Sequence, residues 1–278
     1  MISQMNQLKK YKISPKKRLG QNFLLDEEIQ ENIISFCEFT QDDSVVEIGA
    51  GLGALTTKLA PKVKEVFAVE LDTQLADLLK RRIVQHENVH VMNHDILSLD
   101  VSRFTRNNNE RLKILGNIPY NISSPLIFKL LESSVFLSMA VLMFQKEVAD
   151  RIVARPGTKS YGVLSVFCQV NAAVSRELVV PQYHFYPQPK VNSAIVKFVF
   201  FKTPLMDIKD ERVFRRIVKT AFAQRRKTLK NTLKNSLGFD IPFEKVLRAL
   251  KKCEIDPQRR GETLNLNEFR ELSNYLSE

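Results

Sequence analysis

Cysteine is scarce in these 278 residues, and the three present, Cys37, Cys168 and Cys253, are an odd number, far apart, with no C-x-x-C pair. Neither a disulfide framework nor a zinc site is supported, and a reducing compartment fits. Histidine is scarce too. His86, His90 and His94 recur at intervals of four, but they straddle an expected strand, where that spacing does not bring ligands to one metal. They and His184 read as surface residues, and no metal is expected. No apolar run approaches the length of a membrane span, and the lysine-rich start has no apolar stretch behind it to make a signal peptide. The expectation is a cytoplasmic protein with no membrane attachment. Internal repeats and low-complexity tracts are also missing. What remains is a globular chain, 44% hydrophobic, with material for one large domain and a small one.

Acidic residues are absent from positions 1 to 22, which hold six Lys/Arg, and residues 205 to 278 hold seventeen basic against eleven acidic side chains. The formal charge of +11 therefore sits at the two ends, while the middle is near neutral. A solvated basic face is one reading. Charge confined to flanks is more naturally the footprint of a polyanion, and phosphate is the commonest one.

The chain is organised around Asp43 to Thr56. A short apolar run, Val45-Val46-Glu47-Ile48, is followed by glycines at alternate positions, Gly49, Gly51 and Gly53, and then by a leucine-bearing helical pattern. This is the order strand, tight loop, helix of a nucleotide-binding α/β unit. A side chain at Gly49 or Gly51 would keep the backbone from a ligand at the carboxyl end of the strand. The next strand, Glu65 to Val69, ends in Glu70, and an acidic residue about 20 positions beyond such a loop is where a ribose diol is held. Adenosine fits. A dinucleotide cofactor of the nicotinamide type fits this stretch as well.

The placement repeats. Thr73 to Ile83 reads as helix, Val89 to Met92 as a strand followed by Asp95, and Leu112 to Leu115 as a strand followed by Gly116-Asn117-Ile118-Pro119-Tyr120. In a parallel sheet these strand ends share one edge, so Gly49, Glu70, Asp95 and Asn117 converge on one crevice. Singly, Asp95 could be a helix cap and Glu70 a surface carboxylate. A polar loop is expected around Asn107-Asn108-Asn109.

Before the glycine loop, residues 1 to 22 read as a flexible or ligand-ordered arm, interrupted by Pro15 and ended by Gly20. Asp26 is a candidate N-cap for a helix whose apolar face is Ile29, Ile33, Ile34 and Cys37. Phe23 and Leu24 are either a hydrophobic latch for that helix or part of a ligand site. Beyond Tyr120, helix is expected from Pro125 to Leu131, strand from Ala140 to Phe144, and helix around Glu147, Asp150 and Arg151. Leu164 to Val174 and Ser193 to Phe201 read as β-rich. Between them Pro187 and Pro189 stiffen a loop, and Phe185 before it is either core or an aromatic wall at the sheet edge. The β-type alternation stops at Lys202-Thr203-Pro204. The helical patterns of Val213 to Phe222, Phe243 to Lys252 and Leu266 to Leu276 follow. Three segments are expected: a basic arm at 1–22, a larger α/β domain at 23–204 and a small all-α domain at 205–278.

Asparagine, proline and an aromatic at a strand end suit a planar exocyclic amine. The Asn117 side-chain oxygen and the Ile118 main-chain carbonyl can each accept one of the two amine hydrogens, which directs the nitrogen lone pair at an electrophile. Pro119 steadies the carbonyl. Tyr120 offers a face on which an unstacked base can lie, and Phe185 could close the other side. No cysteine adjoins the segment for attack on a pyrimidine ring, and no His/Asp/Ser set suggests acyl transfer. In-line displacement at a sulfonium methyl remains. As a purely structural element, the same tetrapeptide would be a proline turn.

Taken together, Gly20-Gln21-Asn22-Phe23-Leu24, Glu47-Ile48-Gly49-Ala50-Gly51-Leu52-Gly53, Asn117-Ile118-Pro119-Tyr120, Phe185-x-Pro187-x-Pro189-x-Val191 and Gln224-Arg225-Arg226-Lys227-Thr228-Leu229 resemble the ribosomal RNA adenine dimethyltransferase family, most closely its bacterial small-subunit branch. The resemblance runs from about Lys16 to the C-terminus. It implies a Rossmann-like, S-adenosylmethionine-dependent domain with a seven-stranded sheet and a helical C-terminal domain. It also implies two methyl groups transferred to each of two adjacent adenosines in the 3′-terminal hairpin of small-subunit (16S) rRNA, by a monomer acting on a pre-assembled small subunit, with a part in its biogenesis. By motif, Asn22, Leu24, Gly49, Gly51, Glu70, Asp95 and Asn117 contact the cofactor, and Asn117, Pro119, Tyr120 and Phe185 form the adenine slot. Arg225, Arg226 and Lys227, with the basic arm, would contact RNA. Ala50 departs from the family, which commonly has proline there, and should leave the loop less stiff. A large-subunit methyltransferase of the antibiotic-resistance type shares most of these motifs, and a non-catalytic ribosome-assembly factor could keep the fold.

Overall fold

The computed structural model describes residues 4–105, 110–234 and 241–278. The expected polar loop at Asn107–Asn109 lies outside the described residues. Two compact units are present, one made of the chain up to Ala149 with Ala172–Lys202, the other of Asp150–Asn171 with Thr203–Glu278. The reading of one unbroken domain over 23–204 did not foresee that segment 150–171 packs with the C-terminal helices.

In the first unit the chain forms α1 (Gln4–Lys10), β1 (Phe23–Leu24), α2 (Glu27–Phe36), β2 (Ser44–Ile48), α3 (Thr56–Leu59), β3 (Glu65–Glu70), α4 (Thr73–Arg82), β4 (Val89–Asn93), β5 (Leu112–Asn117), α5 (Ser123–Glu132) and β6 (Leu137–Gln145). After α6 (Lys146–Ile152) and α7 (Val163–Asn171) come β7 (Ala172–Val180), β8 (Phe185–Tyr186) and β9 (Ser193–Phe200). Seven strands make one sheet in the order β4-β3-β2-β5-β6-β9-β7. The first five run parallel, and β9 is antiparallel to both of its neighbours. β2 lies between β3 and β5, so the chain departs from it in opposite directions, which opens a crevice at the carboxyl end of that strand. Val45, Val46 and Ile48 are buried on both faces of the sheet, as a central parallel strand requires.

The basic N-terminal stretch is ordered by apolar contacts of its own, contrary to a flexible or ligand-ordered arm. Leu8 and Ile13 are buried against Phe23, Leu52 and Leu75. Lys16 bonds Asp72 Oδ1 at 2.8 Å and Gln21 Nε2 donates to Asp72 Oδ2 at 2.9 Å. Asp72 also caps α4 by accepting from the Gln74 N–H, so one carboxylate holds both segments. α2 starts as expected, with Asp26 accepting from the Ile29 N–H at 3.0 Å. β1 pairs with β8 in antiparallel register, Phe23 opposite Tyr186 and Leu24 opposite Phe185.

The expectation of β structure over Leu164–Val174 is corrected: helix α7 occupies most of it, and β7 begins only at Ala172. Leu164, Val166, Phe167 and Cys168 are all buried, as is Ser165. A segment buried on more than one face shows no period that separates helix from strand. Its polar groups are satisfied locally, with Gln169 Nε2 donating to the carbonyls of Ile152 and Ala154.

The second unit continues with α8 (Glu211–Ala223), α9 (Leu229–Lys234), α10 (Phe243–Lys252) and α11 (Leu266–Ser277). Asp210 caps α8, and Asn265 with Glu268 forms a reciprocal capping box on α11. Phe222 lies between Tyr161 and Phe269, with ring centroids 5.7 and 5.9 Å away. No helix among the described residues is long and apolar enough to cross a membrane.

Candidate active site

The glycine loop leaves β2 and is tied at once to β3: the N–H groups of Gly49 and Ala50 donate to the Val69 carbonyl at 2.9 and 3.3 Å. The bond from Ala50 is one that a proline could not make. Gly51 has φ +57°, a left-handed conformation that costs a residue with a side chain about 1–2 kcal/mol. In that conformation its N–H donates to Glu70 Oε2 at 2.8 Å, and Glu70 Oε1 accepts from the Asp72 N–H at 2.8 Å. Glu70 is thus a fixed, buried carboxylate, and each oxygen retains a lone pair for a ligand hydroxyl. Burial pushes its pKa up against the pull of those backbone donors. The neighbouring Glu47, also buried, accepts from Thr56 Oγ1 at 2.6 Å, and burial drives its pKa up to about 8.

Asn22, Leu24, Gly49, Gly51, Glu70, Asp95, Asn117, Pro119 and Tyr120 all line one crevice at this edge. It holds about 1180 Å³ of empty space, open mouth included, and so admits a nucleoside-sized ligand, whose pockets run from about 300 to 1,000 Å³. Two wall residues had escaped the sequence reading. Leu71 follows Glu70 and is 51% exposed, and Ile96 follows Asp95 and is buried. An apolar side chain left in solvent beside a fixed carboxylate is a surface that a flat aromatic ring would cover. Their signal was an apolar residue directly after a polar strand end. Asp95 serves twice, closing a turn by accepting from the Leu97 N–H at 2.9 Å and lining the crevice; no helix follows for it to cap.

The donor set fits S-adenosylmethionine. Glu70 and Asp95 offer carboxylates to a cationic ligand, Glu47 beside them keeps its proton at neutral pH, and no lysine or arginine is among the lining residues. A dinucleotide would place its pyrophosphate among these carboxylates.

Asn117 ends β5, and its Nδ2 donates to the Asn22 main-chain carbonyl at 2.9 Å. That bond turns Oδ1, an acceptor only, toward other partners. The Ile118 N–H donates to the Met143 carbonyl of β6 at 3.1 Å, extending the strand ladder into the tetrapeptide. Close approach of β5 to β2 requires Gly116, where a Cβ would lie 2.6 Å from the Ile48 carbonyl oxygen. Gly20 packs from the N-terminal side: a Cβ there would be 3.3 Å from Pro119 Cβ. The Tyr120 hydroxyl is 2.7 Å from Ser193 Oγ, and burial raises its pKa. Ser193 too had escaped the sequence reading, being one polar residue in an alternating strand.

One expected slot residue is placed elsewhere, and one expected RNA contact also has partners inside its own unit. Phe185 is 3% exposed and belongs to the core cluster with Leu24, Val141, Met143, Val180 and Ile195; it does not line the crevice. Of the two readings open for it, the structure realises the core one, because pairing with Leu24 turns it inward. Arg225 donates to Glu262 Oε2 from Nε and Nη2, at 2.9 and 2.7 Å, and to the Lys159 carbonyl at 2.8 Å. It is tied within the second unit yet stays exposed, as Arg226 and Lys227 do.

The model of the family described as "Ribosomal RNA adenine dimethylase" matches residues 13–278. "Ribosomal RNA small subunit methyltransferase A" of Geobacter metallireducens is 45% identical over 262 residues, covering 94% of this chain and 95% of that one. The protein of the same description from Syntrophus aciditrophicus is 42% identical over 271 residues, 97% of each chain. Among solved structures, a dimethyladenosine transferase from Plasmodium falciparum superposes with a TM-score of 0.77 at 29% identity, covering 89% of this chain and 94% of that one. The 23S rRNA methyltransferase ErmE gives 0.71 at 25% identity, covering 92% and 100%. With its crevice geometry and a match over nearly its whole length, the chain belongs to the ribosomal RNA adenine dimethylase family.

Proposed function

We propose that this chain transfers methyl groups from S-adenosylmethionine to the 6-amino groups of two adjacent adenosines in the 3′-terminal hairpin of small-subunit rRNA. It acts as a cytoplasmic monomer on a pre-assembled small subunit and contributes to that subunit's biogenesis. The observation that carries the reading is the meeting of Glu70, Asp95 and Asn117–Tyr120 in one crevice, with the Asn117 amide turned by the Asn22 carbonyl.

When bound, the cofactor supplies an electrophilic methyl group. Glu70 would hold the ribose diol, Leu71 and Ile96 would flank the cofactor's adenine, and Asp95 would accept from that ring's amine. Asn22, Leu24, Gly49 and Gly51 line the remainder of its bed. Asn117 Oδ1 and the Ile118 carbonyl accept the two hydrogens of the target amine. With both hydrogens engaged, the nitrogen lone pair loses conjugation with its ring and faces the methyl group, so orientation supplies most of the rate. Tyr120 stacks on the flipped base, which is worth about 1–3 kcal/mol. Pro119 fixes the backbone between them. A strong base is not required, because the attacking nitrogen becomes positively charged with four bonds, and its remaining N–H is then acidic enough to pass a proton to water. Arg226 and Lys227 of the second unit, with Lys17 and Arg18 of the first, meet RNA phosphate.

The test offers unmethylated small subunits and large-subunit RNA in parallel, with S-adenosylmethionine, and maps modified adenines by mass spectrometry. Two neighbouring dimethyladenosines in small-subunit RNA are expected. Modification of large-subunit RNA alone moves the protein to the resistance-type branch, and tight binding without transfer to either makes it an assembly factor.

A further inference from the structure

Ser193 opens β9 opposite Gln145 of β6 and Val180 of β7, and its side chain is fully buried. A hydroxyl in such a position is costly unless it is bonded. Its partner is the phenol of Tyr120, at 2.7 Å. Tyr120 lines the crevice, so a residue 73 positions away, outside the crevice, holds the far end of a ring that faces it.

We propose that Ser193 is a positioning residue for methyl transfer: its bond to Tyr120 sets the plane of the ring against which the target adenine stacks. The proposal rests on the slot assigned above. Ser193 is itself well anchored. The carbonyl of the preceding Asn192 accepts from the Lys146 N–H at 2.9 Å, and Asn192 Oδ1 accepts from the Gln182 N–H at 3.1 Å. On the other side of the ring, Pro119 restricts the backbone that carries Tyr120. With both ends held, the ring cannot tilt. A tilted ring displaces the amine from the line of transfer, and small displacements of a reacting atom cost rate steeply.

This gives the loop that begins at Phe185 a route into the reaction that does not need Phe185 at the surface. Its first end pairs with Leu24 and its last end, through Ser193, bonds Tyr120. Stiffening between Pro187 and Pro189 keeps the two attachments at a set separation.

The test is a double-mutant cycle in the full-length protein, with kcat, KM for the small subunit and S-adenosylmethionine affinity read for Ser193→Ala, Tyr120→Phe and the pair. Each single change is expected to lower kcat about tenfold, as the loss of one buried hydrogen bond does, with cofactor affinity unchanged. The pair is expected to be no slower than either single, since both remove the same bond. Ser193→Cys keeps a donor, though a larger and weaker one, and should fall between wild type and Ser193→Ala. Effects that multiply in the pair, or a cofactor affinity that falls in step with kcat, would overturn the proposal. If Ser193→Ala does not fold, Tyr120→Phe breaks the bond from the exposed side, and full activity in that variant overturns it equally. Asn117→Ala serves as the control for the underlying reading: only its retained activity would remove the slot itself.

Discussion

The glycine loop after β2 and the Asn117–Tyr120 turn after β5 sit at adjacent strand ends and face the same crevice, but they are held in different ways. The loop is stabilised within its own neighbourhood, by Gly51 donating to Glu70 and by Gly49 and Ala50 donating to Val69. The turn is held by distant partners, Asn22 on one side and Ser193 on the other. The glycine loop and the carboxylate that anchors it are encoded in some twenty consecutive residues. A slot that must orient a foreign base within a few degrees borrows its rigidity from elsewhere in the chain.

If that contrast is right, damage to the two regions should separate cleanly. Asn117→Ala removes an acceptor used at the moment of transfer and should lower kcat by about 100-fold or more, with cofactor affinity in equilibrium dialysis reduced far less than kcat; unaltered turnover would dissolve the distinction. Gly51→Val should do the reverse. Forcing a β-branched residue to positive φ costs about 1–3 kcal/mol, so cofactor affinity should drop roughly tenfold while enzyme saturated with cofactor still turns over.

Glu47 sharpens the comparison through pH. Its folded pKa, raised to about 8 by burial, lies above the ordinary value of 4.5, so between those values the folded chain holds a proton that the unfolded chain has lost. Stability contributed below pH 4.5 is therefore lost as pH rises toward 8, by about 1 kcal/mol per pH unit. Thermal unfolding followed from pH 5.5 to about 8 should show a falling Tm that Glu47→Gln flattens. An equal slope in both proteins would assign the titration elsewhere. The smallest effect is expected outside the crevice. Arg226→Ala with Lys227→Ala should flatten the log–log salt dependence of RNA binding by roughly 0.7–0.9 per lost phosphate contact. Arg225→Ala, which breaks an internal clamp, should lower Tm by a few degrees, equivalent to about 1 kcal/mol, and leave that slope alone.

The parts readable from sequence are those with a local cause. Strand ends at Glu70, Asp95 and Asn117 were legible because a short apolar run stops at a polar residue. Helices α8, α10 and α11 were legible because one face is apolar at helical spacing. What escaped has causes far away in the chain. Helix α7 carries an apolar run with no period. β1 and β8 are two residues each, too short to show alternation, and without their pairing Phe185 cannot be told from a surface aromatic. The ordering of the N-terminal segment depends on Asp72, 56 residues beyond Lys16. Arg225 looks like part of a basic patch until Glu262 is placed beside it.

The pairing of β1 with β8 has a consequence for how the protein is made. Phe23 meets Tyr186 only after roughly 160 further residues have been joined, and contacts of such sequence separation form late. A nascent chain can therefore form the glycine loop, β3, β4 and β5 before β8 exists to pair with the strand that brings Leu24 to the crevice. Closure of the crevice, on its cofactor side as on its target side, is thus a late event in the folding of the chain.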